Sequence, residues 1–185
     1  MKLGLDLLGF EAVINDRIEN VTFVTITKKD TELIKAYADD FVRLQKELGE
    51  TEILFSKVPL KPLDLGTSTN VEWMTMILGN RWIFGCLDEK GKFSGYIQAT
   101  FLNGWDNQPT TMVWIDDLII ERRFRGKGIA EKLFNAFVKD TKILYPNITY
   151  VKCRVHATNQ QGLRYYTKLG FKPDMHELYI DVKNK

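Results

Sequence analysis

The stretch that most constrains this chain runs from residue 111 to residue 155: "TMVWIDDLII", then "ERRFRGKG", "IAEKLFNAFVKDTKIL" and, after "YPN", "ITYVKCRV". Its first and last pieces are rich in β-branched and aromatic residues and read as strands. Between them Ile129, Leu133 and Phe137, with Ala130, Phe134 and Val138, give a helix from Gly128 to about Leu144 a broad apolar face, and Pro146 closes it. A helical crossover between two strands of one sheet makes them a parallel pair.

Around this unit the chain supplies more strands and helices. "VTFVTITK" (21–28) reads as a strand, and Asp30 or Thr31 can cap a helix carrying Leu33, Ile34, Tyr37, Phe41, Leu44 and Leu48 and ending near Gly49. Residues 50–70, with two prolines and a polar close, predict an irregular connection or a loop with one short element. A second helix begins at Thr69 or Asn70 and brings Val71, Trp73, Met74, Ile77 and Leu78 to Gly79. "RWIFGCL" (81–87) and "FSGYIQATFL" (93–102) form a hairpin across "DEKG", and the wider loop "NGWDNQP" leads to the strand at 111. Asn159 stands where an N-cap belongs before a short helix through Leu169, and "HELYIDV" (176–182) reads as a last strand. Residues 1–20 lack a clean period and are expected to be a short helix or an arm. The order β–α–α–β–β–β–α–β–α–β predicts an α/β (α+β) class: a mixed, mostly antiparallel sheet flanked by helices, in a single domain over 1–185.

The totals narrow the partners. Lys and Arg number 26 against 24 Asp and Glu, a net charge of +2, so no global field points to nucleic acid or an anionic membrane. No segment approaches the roughly 18 apolar residues of a membrane span, and the start "MKLGLDLLGF" is too short a run for a signal sequence, so a cytoplasmic protein is expected. Cys86 and Cys153 stand alone in apolar stretches without a histidine cluster, which predicts buried reduced thiols and no metal site.

The chemistry concentrates in "ERRFRGKGIA" (121–130). Unpaired amides at the N-terminus of the following helix, with the positive end of its dipole, suit a pyrophosphate. Gly126 and Gly128 keep side chains away from that backbone and admit positive φ, while Arg122, Arg123, Arg125 and Lys127 add charge. The nucleoside-triphosphate loop GxxxxGK[ST] is missing, and Glu131 replaces the third glycine of the dinucleotide fingerprint. On this stretch alone, a solvated basic turn competes with a phosphate cradle. The neighbouring Asp116 and Asp117 are costly in an apolar strand unless a partner or a use is present. Alternation along a strand predicts that they face opposite sides.

"RFRGKG" (123–128) matches the R/Q-x-x-G-x-G/A signature of the GCN5-related N-acetyltransferase (GNAT) superfamily. "WIDDLII" resembles the strand that precedes that signature, and "NQQGLRYYTKLGF" (159–171) is similar to the family's following motif. The resemblance covers roughly residues 80–172 and implies a GNAT-like sheet whose parallel pair splays around acetyl-coenzyme A. It places the pyrophosphate on the backbone from Arg125 to Ile129, including Gly126, Lys127 and Gly128, with Arg123 opening the loop. It also implies that the pantetheine arm pairs with Leu118, Ile119 and Ile120.

The resemblance further implies catalytic residues. Tyr166 matches the family tyrosine that protonates the leaving sulfur, a credible donor because a phenol's pKa of about 10 lies near a thiol's, about 8.5. Tyr165 is expected to pack. Asp116 maps onto an acidic residue proposed as general base, working through a bridging water, against the reading that it orients amides or an arginine. Asn159 matches an asparagine touching pantetheine, although capping explains it without a ligand. Gly162 replaces the usual alanine or serine, and His156 is expected to be structural. The implied reaction is direct attack of a primary amine, on a small molecule or a peptide, upon the acetyl thioester. A coenzyme-binding sensor without turnover is the alternative, and a homodimer is left open. Asp39, Asp40, Glu47, Glu50 and Glu52 would suit a cationic acceptor or an ordinary solvated helix face, and Trp73, Trp82 and Trp105 a pocket or packing.

Overall fold

The computed structural model describes residues 21–55, 64–79, 81–102 and 111–174. The arm at 1–20, the loop at 103–109 with Trp105, and the strand expected at 176–182 lie outside the described residues. The chain divides into two compact units, one ending at Arg154 and one beginning at Val155, and each is described by itself.

The first unit holds β1 (Thr22–Ile26), α1 (Thr31–Phe55), α2 (Asn70–Ile77), β2 (Arg81–Leu87), β3 (Phe93–Leu102), β4 (Thr111–Ile120), α3 (Ile129–Leu144) and β5 (Ile148–Cys153). Its strands form one sheet in the order β1-β2-β3-β4-β5. The first three pairings are antiparallel and β4 pairs β5 in parallel, as the helical crossover requires. The hairpin between β2 and β3 is tied by Asp88, whose carboxylate accepts from the amides of Lys90 and Lys92 at 2.9 and 3.0 Å, while Gly91 takes φ +73°.

One expectation needs correction. α1 runs through Gly49 to Phe55, so residues 50–55 are helix and not loop. A glycine inside a helix costs only about 1 kcal/mol. Buried Leu44 and the partly buried Leu48 that packs on the core offset that cost. Asp30, just before α1, turns its carboxylate back to the Thr27 amide and hydroxyl at 2.7 and 2.8 Å, closing the turn that feeds the helix. α2 starts with a capping box: the Thr69 hydroxyl accepts from the Glu72 amide, and the Glu72 carboxylate accepts from the Thr69 amide.

The helices α1 and α2 cover one face of the sheet, where Phe41, Leu44, Met74, Leu78, Ile83, Tyr96 and Ile119 form the core. Phe137 of α3 packs on Trp82 and Phe84, whose side chains alternate with that of Ile83 and so lie on the opposite face. Burial of each such ring or branched chain contributes about 1.5–3 kcal/mol. Cys86 is buried and Cys153 half-buried, and loss of solvent pushes each thiol up to about 11, consistent with unreactive thiols.

In the second unit the described part is α4 (Gln160–Lys168), capped by Asn159, whose side-chain oxygen accepts from the Gly162 amide at 2.8 Å. Gly170, at φ +92°, ends it where a left-handed residue is needed. Among the described residues no helix is long and apolar enough to cross a membrane, and no group of three His, Cys, Asp or Glu could hold a metal ion.

Candidate active site

The loop between β4 and α3 begins with a single 3-10 turn, Arg122–Phe124, and reaches α3 through Gly126 and Gly128. Both glycines sit at φ +76°, a region an L side chain rarely adopts, and a Cβ on either would meet no atom within 4 Å. The backbone there is bare and open. Gly128 is the N-cap of α3 and supplies no side-chain cap. The amides of Gly126, Lys127 and Gly128 make no hydrogen bond among the described residues, and those that open a helix have no partner within it. Clustered donors at the positive end of a 16-residue helix fit an anionic phosphate group.

The loop cations are partly committed elsewhere. Arg125 donates from Nε to the Ile120 carbonyl at 2.7 Å and pairs with Glu47 of α1 at 2.7 Å. Glu47 also accepts from the Arg122 amide at 3.1 Å, so one α1 carboxylate fastens the start of the loop at two points. Arg123 pairs with Glu121 at 2.7 Å and approaches Asp88 at 3.5 Å. These arginines therefore shape the loop, and its backbone amides are the part free to bind. Lys127 lies over the Phe124 ring at 5.5 Å.

Beside the loop is a cavity of about 350 Å³ whose lining includes Phe23, Lys90, Phe124, Lys127, Ile129 and Lys132. Asp88, Glu89 and Arg123 complete its charged lining, so aromatic faces stand there among charges of both signs. Phe23, Lys90 and Lys132 are candidate site residues that sequence reasoning missed, because β1, the β2–β3 hairpin and α3 meet there only in the folded chain.

The end of β4 nearest the loop is paired on one side only among the described residues. The parallel pairing with β5 ends at Ile115↔Cys153, whereas β3 follows β4 to Gly95↔Ile120. Leu118, Ile119 and Ile120 thus have a strand partner on one side only among the described residues, with the Ile120 carbonyl taken by Arg125.

A bulge corrects the expectation for the aspartates. Gln98 opposes Asp117 and Ala99 opposes Ile115, which leaves Asp116 as the extra residue. Gln98 and Thr100 share a face of β3, and that face also carries Ile83 and Arg81, their partners on β2. Asp117 lies opposite Gln98, and Asp116 accepts from the Thr100 hydroxyl at 2.6 Å and stands 3.3 Å from Arg81 Nε. Both carboxylates therefore project to the α1 side. Asp117 accepts from Gln45 Nε2 at 2.8 Å. Burial, and beyond it the carboxylates of Glu52 and Asp116, push Asp117 up to about 6, against the bond from Gln45 and the charge of Arg81.

In the second unit Tyr166 is half-buried, its ring edge-on to Tyr165 and Phe171 with centroids 5.3 and 5.2 Å away. Gly162 has a local reason: a Cβ there would stand 2.9 Å from the Asn159 side chain that caps α4. His156 is exposed.

Solved structures share this mixed sheet, whose parallel pair parts beside a glycine-bearing loop. An aminoglycoside acetyltransferase, meta-AAC0020, from an uncultured soil metagenomic sample in complex with sisomicin is similar with TM-score 0.64 and 14% identity, over 88% of this chain and 96% of that one. A possible acetyltransferase from Clostridium difficile 630 gives 0.63 and 20%, over 88% and 97%. A ribosomal-protein-alanine N-acetyltransferase from Brucella melitensis biovar Abortus 2308 gives 0.60 and 16%, over 87% and 99%. No curated protein matches the chain in sequence. Residues 55–171 match the model of the Acetyltransferase (GNAT) family, and the chain belongs to that family.

Proposed function

We propose that the protein is an acetyl-coenzyme A-dependent N-acetyltransferase in which a primary amine attacks the thioester directly. The observation that carries the reading is the bare, positive-φ backbone at Gly126 and Gly128 opening onto α3, directly after a strand that holds two carboxylates on one face. Bound acetyl-coenzyme A supplies the acetyl thioester, whose C–S bond is exchanged for an amide. The amides from Gly126 to Ile129 hold the pyrophosphate, with Arg123 and Arg125 setting the loop's shape and Lys127 its charge. Leu118 to Ile120 offer main-chain groups to the pantetheine arm.

The chain's own residues move protons. A carboxylate of the Asp116–Asp117 pair accepts one from the amine, and Tyr166 gives one to the departing sulfur, a role resting on its place in the 159–171 motif. Asn159 organises the start of α4, and any contact with the arm is additional. Neither cysteine has the lowered pKa of a nucleophile, which favours direct transfer over an acyl-enzyme. The test is release of coenzyme A thiol from acetyl-coenzyme A against a panel of small amines, polyamines, aminoglycosides and peptide amines. Release with at least one acceptor is expected. Coenzyme binding without release across the panel would leave the protein a sensor.

A further inference from the structure

A loop that receives a pyrophosphate gains nothing from negative charge beside it, yet Glu47, Glu121 and Asp88 all pair with its arginines. The Glu121 and Asp88 side chains are only 14% and 12% exposed, so each gives up much of its hydration to stand there. Both also repel an incoming phosphate. Glu47 anchors Arg125 and the Arg122 amide. Glu121 and Asp88 belong to a second anchor.

Glu121 is the first residue after β4, and its backbone is fixed at both ends. Its amide donates to the Ser94 carbonyl at 2.9 Å, and its carbonyl accepts from the Phe124 amide at 2.8 Å. Its carboxylate takes the Arg123 guanidinium on two prongs, Nε at 2.7 Å and Nη2 at 3.2 Å, and lies 3.4 Å from Arg43 Nη1 of α1. Arg43 donates to the Phe93 carbonyl at 3.1 Å and stands 3.2 Å from Asp40, whose other oxygen accepts from the Phe93 amide at 3.2 Å. On the far side, Arg123 Nη2 is 3.5 Å from Asp88, the residue that ties the β2–β3 turn. Charges thus alternate through Asp40, Arg43, Glu121, Arg123 and Asp88, from α1 across the start of β3 to the turn. Isolated surface pairs contribute little, but a network with a forked arginine fixes the direction of the guanidinium plane.

Gly126 and Gly128 have no side chains with which to hold their own positive-φ backbone, and glycine loses the most freedom on ordering. The loop amides are aimed before a ligand arrives only if the residues beside them are fixed from outside. We propose that Glu121 is a positioning residue for this loop, acting through its forked bond to Arg123, and that Asp88 steadies the same guanidinium from the β2–β3 turn. The assignment rests on the acetyl-transfer reading only in naming coenzyme A as the anion. It makes Arg123 a fixed strut instead of a charge that reaches for phosphate. The two roles differ in sign. If Coulomb attraction alone counted, removing the Glu121 charge would tighten phosphate binding, because a repulsion is lost and Arg123 is freed. If the carboxylate keeps the loop in shape, its removal weakens binding, because the ligand must then order the loop itself.

The test is calorimetric titration of the full chain with coenzyme A. Glu121→Gln should bind about fivefold more weakly than the wild type, and Asp88→Asn, which keeps an oxygen for the turn amides, should weaken binding by a smaller factor. In an Arg123→Gln background, adding Glu121→Gln should change affinity by less than about twofold, because the residue it acts through has gone. A merely structural role through Arg43 or the backbone would persist in that background. Equal or tighter binding in Glu121→Gln, or the same loss in both backgrounds, would overturn the assignment. A wild type that does not bind coenzyme A would overturn both the assignment and the coenzyme reading. Binding in the expected pattern, with no thiol released by any amine, would instead sink the transfer reading and leave Glu121 in its role.

Discussion

At the scale of single residues, Tyr166 and Gly126 separate chemistry from binding. Tyr166→Phe keeps the ring between Tyr165 and Phe171 and removes only the phenolic proton. Turnover should fall about 10²-fold with coenzyme affinity nearly intact, as for loss of a general acid. Unchanged turnover would take Tyr166 out of that role. Gly126→Asp places a like charge where phosphate is expected and a side chain at φ +76° in open space, so the fold survives. Strain of about 1 kcal/mol or more, with the added repulsion, predicts at least tenfold weaker coenzyme binding by calorimetry. Unaltered affinity would move the phosphate away from this loop.

At the scale of elements, α1 is the brace of the site. Its Glu47 fastens Arg125 and the Arg122 amide, and its Gln45 orients Asp117. Glu47→Ala should cost about 1 kcal/mol of stability in urea, since the half-exposed Arg125 is partly screened by water. Coenzyme binding should weaken in step as the loop loses both anchors. Glu47→Gln keeps an acceptor for the Arg122 amide and should lose less. If both variants bind coenzyme like the wild type, the loop holds its shape without α1.

The same element shows where sequence reading succeeds. β2, β3 and β4 have the expected bounds because β-branched runs and a tight Asp-Glu-Lys-Gly turn are local signals. The Asn159 cap and a helix start at Thr69 or Asn70 were legible for the same reason, whereas the Thr69–Glu72 capping box became visible only with its reciprocal bonds. The end of α1 was misplaced because Gly49 is a weak stop signal that tertiary packing overrode. The bulge could not be read at all. It is a property of register between Gln98–Ala99 and Ile115–Asp117, two segments far apart in sequence, and strict alternation therefore assigned the aspartates to opposite faces.

At the scale of the whole molecule, the crowded carboxylates of β4 predict a stability cost that depends on pH. Asp117 is raised from 3.8 to about 6 in the folded chain, so between those values the folded state binds more protons than the unfolded state. Stability from this group therefore falls as pH rises through that window, with no cost below about 4 and the full cost above about 6. A rise of that size corresponds to about 3 kcal/mol, an upper figure for a group that is not fully enclosed. Asp117→Asn removes the titration and keeps an oxygen for Gln45. The variant should thus be more stable than the wild type by about 1–3 kcal/mol in urea at pH 7.5, with the difference vanishing near pH 4. Such a gain on losing a charged residue is the mark of a carboxylate kept at a cost to stability. A variant that is less stable at pH 7.5 would mean that Arg81 and Gln45 already compensate Asp117.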